Sequence, residues 1–194
     1  MIRYTGAMAT KANKRGVSRE QWIQAGLDVL NESGVDSVTI HHLARKLGVS
    51  RSGFYWHFKN RGALLDALLE DWARLSTEVI TENVEVLALN PVTRLMRTAE
   101  MVLDYSLASY EIALRHWALQ DNKAARAVRA ATKVRLDFVR QAFAELGFKG
   151  EDLEMRAMLY AAYTTWESPM FGHISKKRRR AMIKERIKLL TRSD

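Results

Sequence analysis

From Ser18 onward, apolar side chains recur every three or four positions and show no sustained alternation, so the chain can be built only from helices. Punctuation divides the pattern into elements. Ser18, with Gln21 three residues later, forms a capping box, and Trp22, Ala25, Val29 and Leu30 follow at helical spacing until Gly34, which predicts a helix over 18–33. Thr39 is the expected N-cap of a second, short helix whose stripe is Ile40, Leu43, Ala44 and Leu47, and Gly48 ends it. Ser50 is then placed to cap a third helix over 51–58, with Phe54 and Phe58 one turn apart and facing inward. A single long helix is predicted over 62–88, joining two domains and ending before Asn90-Pro91. Helices at 91–107, 109–119, 121–146, 151–168 and 175–191 complete the pattern, with Pro169 stopping the penultimate one.

The expected architecture is all-α, in three parts: a flexible basic arm at 1–17, a three-helix helix-turn-helix module at 18–62, and a larger helical domain at 63–194. With 47% hydrophobic and 27% charged residues and two prolines, the chain has the composition of an ordinary folded protein. No apolar run approaches the roughly 20 residues that span a bilayer, and the first 16 residues lack the apolar core of a signal peptide. No membrane partner is expected, and the absence of cysteine agrees with a cytoplasmic location.

The net charge of +9 is unevenly spread. Residues 1–61 hold ten Lys/Arg against four Asp/Glu, residues 176–194 nine against two, and the stretch between them twelve against sixteen. A basic first module on a mildly acidic body suits contact with a polyanion, since neutralising phosphates releases condensed counterions. Enzyme chemistry finds little support. His41, His42, His57, His116 and His173 show no paired metal spacing, there is no glycine-rich phosphate loop, and Asp104, Glu111 and Glu167 are scattered carboxylates expected to be solvated or paired. No catalytic residue, metal ligand or cofactor is expected.

Two short helices joined by a Gly turn describe a helix-turn-helix, whose second helix enters the DNA major groove, although such hairpins also occur in bundles that never meet DNA. The residues themselves carry more. The stretch TIHHLARKLGVSRSGFYWHFKNRGALL over 39–65 resembles the TetR family of bacterial repressors, in which a tyrosine, any residue, a histidine and a phenylalanine close the recognition helix; here these are Tyr55, Trp56, His57 and Phe58. The likeness runs without gaps over 17–69. It implies a homodimeric, sequence-specific regulator of transcription, a repressor on a near-palindromic double-stranded operator that a small-molecule effector releases. Control by a protein partner, the lack of any ligand, or an all-helical enzyme are the alternatives.

The resemblance also implies site residues. Ser50, Arg51, Ser52 and Gly53 fall where the recognition helix meets bases and phosphates, and Arg51 is placed either to fork onto a guanine or to hold a phosphate. Tyr55 matches a phosphate-contacting ring, Trp56 and His57 are its neighbours, and His57 has packing as its other reading. Thr39, Lys59 and Arg61 are further phosphate candidates, Arg61 standing where most relatives have Lys and Gly62 where they have Glu. Lys11, Lys14 and Arg15 are placed to follow the minor groove or simply to face water, and the run 176–180 is expected to face water.

In the larger domain the family implies a four-helix bundle between subunits. Ala127, Ala131, Val134, Phe138, Ala142 and Leu146 on one helix, and Ala157, Ala161, Thr164 and Ser168 on the next, suit either that bundle or an intrachain core. The family also implies an effector pocket. Tyr105, Trp117, Tyr163 and Trp166 are its candidate lining, with core packing as the alternative, and the guest expected of such rings is apolar, aromatic or cationic.

Overall fold

In the computed structural model, which describes residues 16–192, the chain enters α1 (Arg19–Ser33) through the box read from its sequence. Ser18 N donates to Gln21 Oε1 at 2.8 Å and Gln21 N to Ser18 Oγ at 3.3 Å, which satisfies two amides reciprocally. A 3-10 turn (Val35–Ser37) leads to α2 (Ile40–Leu47), where Thr39 Oγ1 accepts from His42 N at 3.2 Å. Gly48, at φ +69°, closes α2 as Gly48 N donates to Arg45 O and Val49 N to Ala44 O, a left-handed turn that a residue with a Cβ enters only under strain.

The third helix, α3 (Ser52–Tyr55), is shorter than the 51–58 expected of it. His57 N and Phe58 N both converge on Phe54 O, which tightens the chain into a turn, and Ser50 does not cap the helix because its Oγ lies 2.8 Å from Ser52 Oγ instead. Then α4 (Arg61–Ala73) begins, Asn60 Oδ1 accepting from Ala63 N at 2.9 Å.

The described residues divide between Asp71 and Trp72 into two compact units. In the first, Trp22 and Phe54 meet edge to face at 5.4 Å and Phe54 lies 5.3 Å from Phe58, all three buried. Burying rings of this size contributes about 1.5–3 kcal/mol each. Gly26 lets α1 approach α4 closely: a Cβ there would come within 2.9 Å of Leu68 Cδ2. Lys11, Lys14 and Arg15 of the expected arm lie outside the described residues.

The single helix expected over 62–88 is not formed. After α4 the backbone opens into a wide π turn (Arg74–Glu78), closes into α5 (Val79–Thr81), breaks, and restarts as α6 (Val84–Leu87). Two side chains account for the interruption. Thr81 Oγ1 donates back to Thr77 O at 3.2 Å, and Asn83, in extended conformation, accepts from Val86 N at 3.1 Å and so starts a new helix rather than continuing the old one.

The remaining helices are α7 (Pro91–Asp104), α8 (Glu111–Ala118), α9 (Asn122–Glu145), α10 (Gly150–Phe171) and α11 (Lys176–Thr191). Asn90 caps α7 ahead of Pro91 as the dipeptide suggests, and the helix stops short of 107 because Ser106 adopts φ +54°. Pro169 does not stop α10. Its missing N–H falls in the last turn, and Tyr163 stacks on Phe171 at 5.9 Å across two turns, holding the end of the helix in place. All of the regular elements described are helical, and none is long and apolar enough to cross a membrane.

The core of the second unit gathers Leu95 of α7, Phe143 of α9, Tyr160 of α10 and Ile187 of α11, with Tyr160 Oη donating to Leu95 O at 2.7 Å. Arg94, almost buried, forks onto both Glu145 oxygens at 3.0 and 2.9 Å. On α9 the buried row is Ala124, Val128, Ala131, Phe138, Val139, Ala142 and Phe143, rotated from the stripe expected, and Val134 is exposed. That row is intrachain core. On α10 only Ala157 and Tyr160 are buried, while Met155, Met158, Leu159, Trp166 and Met170 lie exposed.

Candidate functional site

Inward anchoring decides what α3 shows to solvent. Phe54 and Phe58 lock one side of the α3 segment into the core, and the other side presents Arg51, Ser52, Tyr55, Trp56 and Lys59. Trp56 is 87% exposed and Tyr55 60%, with Tyr55 meeting Phe54 edge to face at 5.4 Å, so both rings stand largely in solvent. Aromatic rings held this far out beside cations form a surface suited to contact rather than to packing. No atom lies within 4 Å of a Cβ built on Gly53, so the interior does not require a glycine there.

The remaining sequence candidates sort by what their polar atoms already hold. Ser50 and Ser52 are exposed with their hydroxyls paired to each other, and the exposed Thr39 spends its hydroxyl on the cap of α2. His57 is half-buried and its Nε2 lies 2.8 Å from Val17 O, the packing role that was one of its two readings. Arg61 differs from expectation. Its Nε donates to Val38 O and its Nη2 to Val35 O, each at 2.6 Å, so the guanidinium ties the start of α4 to the turn before α2 instead of reaching outward. Thr39, His57 and Arg61 thus frame the surface that Arg51, Ser52, Tyr55, Trp56 and Lys59 present.

The second unit contains a cavity of about 270 Å³ formed by the π turn, α5, α7, α8, α9 and α10. Of the four aromatic residues expected around it, only Trp166 lines it. Trp117 is buried away from the lining, Tyr105 lies half-exposed at the end of α7, and Tyr163 is sandwiched between Phe171 and the Arg186 guanidinium, 4.2 Å above its ring. Tyr160 lines the cavity in their place, and burial pushes its phenol well above the usual range, keeping it neutral.

Sequence reasoning missed the charged part of this lining. Arg115 and Arg135 both face the cavity and both hold Glu111, which is fully buried: Arg115 Nε donates to one oxygen and Arg135 Nη1 to the other, each at 2.9 Å. The i,i+4 spacing of Glu111 and Arg115 was a legible hint; Arg135, on another helix, gave none. The run 176–180 is also less free than expected. Lys176 Nζ donates to Asp104 O at 3.0 Å, Arg180 pairs with the Asp104 carboxylate, and Arg179 pairs with Glu167 at 3.0 Å. Among the described residues, no group of three or more His, Asp or Glu side chains is gathered to hold a metal.

Residues 23–68 match the family model described as bacterial regulatory proteins, tetR family. Over 48 residues the chain is 58% identical to the tetracycline repressor protein class A from transposon 1721 of Escherichia coli, a match covering 25% of this chain and 22% of that protein. The chain thus spans about a quarter of the length of these curated relatives. Across nearly all of its length it is similar in fold to a transcriptional regulator from Rhodococcus sp. Rha1, with a TM-score of 0.70 at 17% identity over 90% of this chain and 96% of that one. It is similar also to AibR, whose structure is in complex with isovaleryl coenzyme A and operator DNA, with a TM-score of 0.64 at 16% identity over 86% and 96%.

Proposed function

The chain belongs to the TetR family of bacterial regulatory proteins through residues 23–68, and from that premise we propose that it is a dimeric, sequence-specific DNA-binding regulator of transcription, a repressor whose hold on its operator a small molecule releases. One observation carries the reading: α3 is anchored from inside by Phe54 and Phe58 while Arg51, Ser52, Tyr55, Trp56 and Lys59 stand outward as one basic and aromatic row. Arg51 at the start of that row forks onto a guanine edge, Ser52 and Lys59 hold phosphates, and the rings of Tyr55 and Trp56 settle the helix in the groove. Ser50 and Thr39 add hydroxyls at its border, and Gly53 lets the backbone come close to the DNA. Arg61 and His57 act from behind, by fixing the elements that carry the row.

Support for a dimer comes from α10. Its exposed Met155, Met158, Leu159 and Met170 repeat at helical spacing and are the kind of face a second copy covers. Two copies related by a twofold axis read two half-sites, which makes the operator near-palindromic. The cavity beside Trp166 supports the effector part of the reading, and AibR is a relative in fold that combines a small molecule with operator DNA. Release requires that the guest bind the DNA-competent and DNA-incompetent arrangements with different affinity.

Selecting retained sequences from a random duplex pool with the full chain tests the proposal. A shared near-palindrome is the expected result, with Arg51→Met relaxing the preference at one base pair by about 1–3 kcal/mol. Retention of no duplex above background sinks the reading.

A further inference from the structure

The cavity of the second unit has one open side. Its lining residues from the π turn, α5, α7, α8 and α9 are all buried or half-buried. The exposed ones lie on α10 and are Met158, Ala162 and Trp166, spaced by four. Met158 is 55% exposed and Trp166 37%. At about 100° per residue these three run along one flank of the helix, where they border the outward apolar face of Met155, Leu159 and Met170. The opening of the cavity and the uncovered side of α10 are therefore one surface.

That surface is self-complementary. Ala162 stands at its middle, with Met158 four residues before it and Trp166 four residues after. A twofold axis through Ala162 sets two copies of α10 antiparallel, so that each Met158 meets the partner's Trp166, a thioether against a ring. The small side chain at 162 lets the two backbones come close where they cross. Charge agrees with the same arrangement. Glu151 is exposed in the first turn of α10, and Lys177 and Arg178 are exposed just beyond its far end, each side chain without an ion-pair partner among the described residues. Antiparallel pairing brings the acidic end of one copy beside the basic end of the other.

Resting on the dimer reading, we propose that the cavity is a shared chamber: the second copy, laid on α10, roofs its opening, and a guest held there touches both copies. One copy alone leaves the chamber open to solvent beside Met158, Ala162 and Trp166. The partner supplies the missing apolar wall, so guest and partner strengthen each other's binding by the same factor.

The chain contains no cysteine, so single thiols can report the roof. Ala162→Cys puts one at the opening, and Leu136→Cys puts one inside, on the half-buried α9 wall. Lys184→Cys, exposed on α11 and outside the lining, is the control. Alkylation by N-ethylmaleimide is timed by mass spectrometry on the full chain, and the dimer fraction is read by analytical ultracentrifugation. The unpaired state is reached by dilution and, independently, by Leu159→Glu, an exposed position outside the lining. Circular dichroism verifies that each variant is folded. The expected result is that the Ala162→Cys and Leu136→Cys thiols both react about tenfold more slowly once about 90% of the chains are paired, while the control is unchanged. Protection at 162 with equal rates at 136 in both states means that the copies pair through α10 and leave the chamber open, which overturns the proposal and spares the dimer. Equal rates at both positions in a proven dimer put the second copy elsewhere and overturn it too. A chain that stays monomeric at every concentration overturns the dimer reading and the proposal together, leaving the face of α10 to a different partner.

Discussion

Replacing Arg61 separates a phosphate contact from a structural tie. Arg61→Met keeps the aliphatic stem and removes both donors, the Nε–H on Val38 O and the Nη2–H on Val35 O. A hydrogen bond from a charged donor contributes about 1.5–3 kcal/mol net, and because Arg61 is half-buried, water can reach the freed carbonyls, so the pair should be worth about 2 kcal/mol in total. For a chain of this size that lowers Tm by about 4–8 °C. The melt is followed by circular dichroism at 222 nm, and duplex binding by fluorescence anisotropy across a salt series. Arg61→Met should destabilise the protein and leave the slope of log affinity against log salt unchanged, because no phosphate contact is lost. Lys59→Met, at an exposed cation, should do the reverse: an unchanged Tm and a slope smaller by about 0.9. The reasoning is refuted if Arg61→Met melts like the parent chain while its salt slope falls by about one.

Gly53→Ala adds a methyl group into open space, so its only effect on the fold is a better helix former; urea unfolding should show a gain of about 0.5–1 kcal/mol, with duplex affinity falling if the backbone meets the groove at that point. A loss of stability contradicts the observed clearance. Glu145 links stability to pH, because Arg94, hydrogen-bonded to it, holds its carboxyl below the ordinary value of 4.5. The folded pKa is depressed, so this contribution is complete above about pH 4.5 and is lost as pH falls through the folded value. The stability difference between the parent chain and Glu145→Gln, measured by urea titration at each pH, should therefore shrink below pH 4.5; a gap that stays constant to pH 3 rules the linkage out. Tyr160→Phe removes the buried donor to Leu95 O, a carbonyl that keeps its intrahelical bond within α7, and should cost about 0.5–1.5 kcal/mol in the same assay.

Local chemistry made much of the fold legible in the sequence. Ser18 with Gln21, Thr39, Gly48 and Asn90-Pro91 each act within four residues of themselves, and each marks a boundary that the helices observe. What stayed hidden depends on partners far along the chain or on competition between side chains. Tyr163 and Phe171 carry α10 past Pro169, and Asn83 captures Val86 N–H in the middle of an apolar pattern that reads as continuous helix. The candidate interface was legible because Phe54 and Phe58 fix by spacing alone which side of α3 faces water. Arg61 was misjudged because its acceptors, 23 and 26 residues away, are backbone carbonyls that no residue type announces. The cavity was read from its rings, yet its charged groups belong to a triad spread over α8 and α9, 24 residues apart from Glu111 to Arg135.

The wide turn at Arg74–Glu78 holds a residue more than regular helix requires, and Thr77 within it reaches the cavity. A chain carrying such a surplus can lose one amino acid there by a three-base deletion and reclose as ordinary helix. The helix on either side keeps its register, and only residues within the turn change the direction they face. Length variation at this spot therefore retunes which groups look into the chamber while sparing the helices on either side, a route by which sensing can drift faster than architecture.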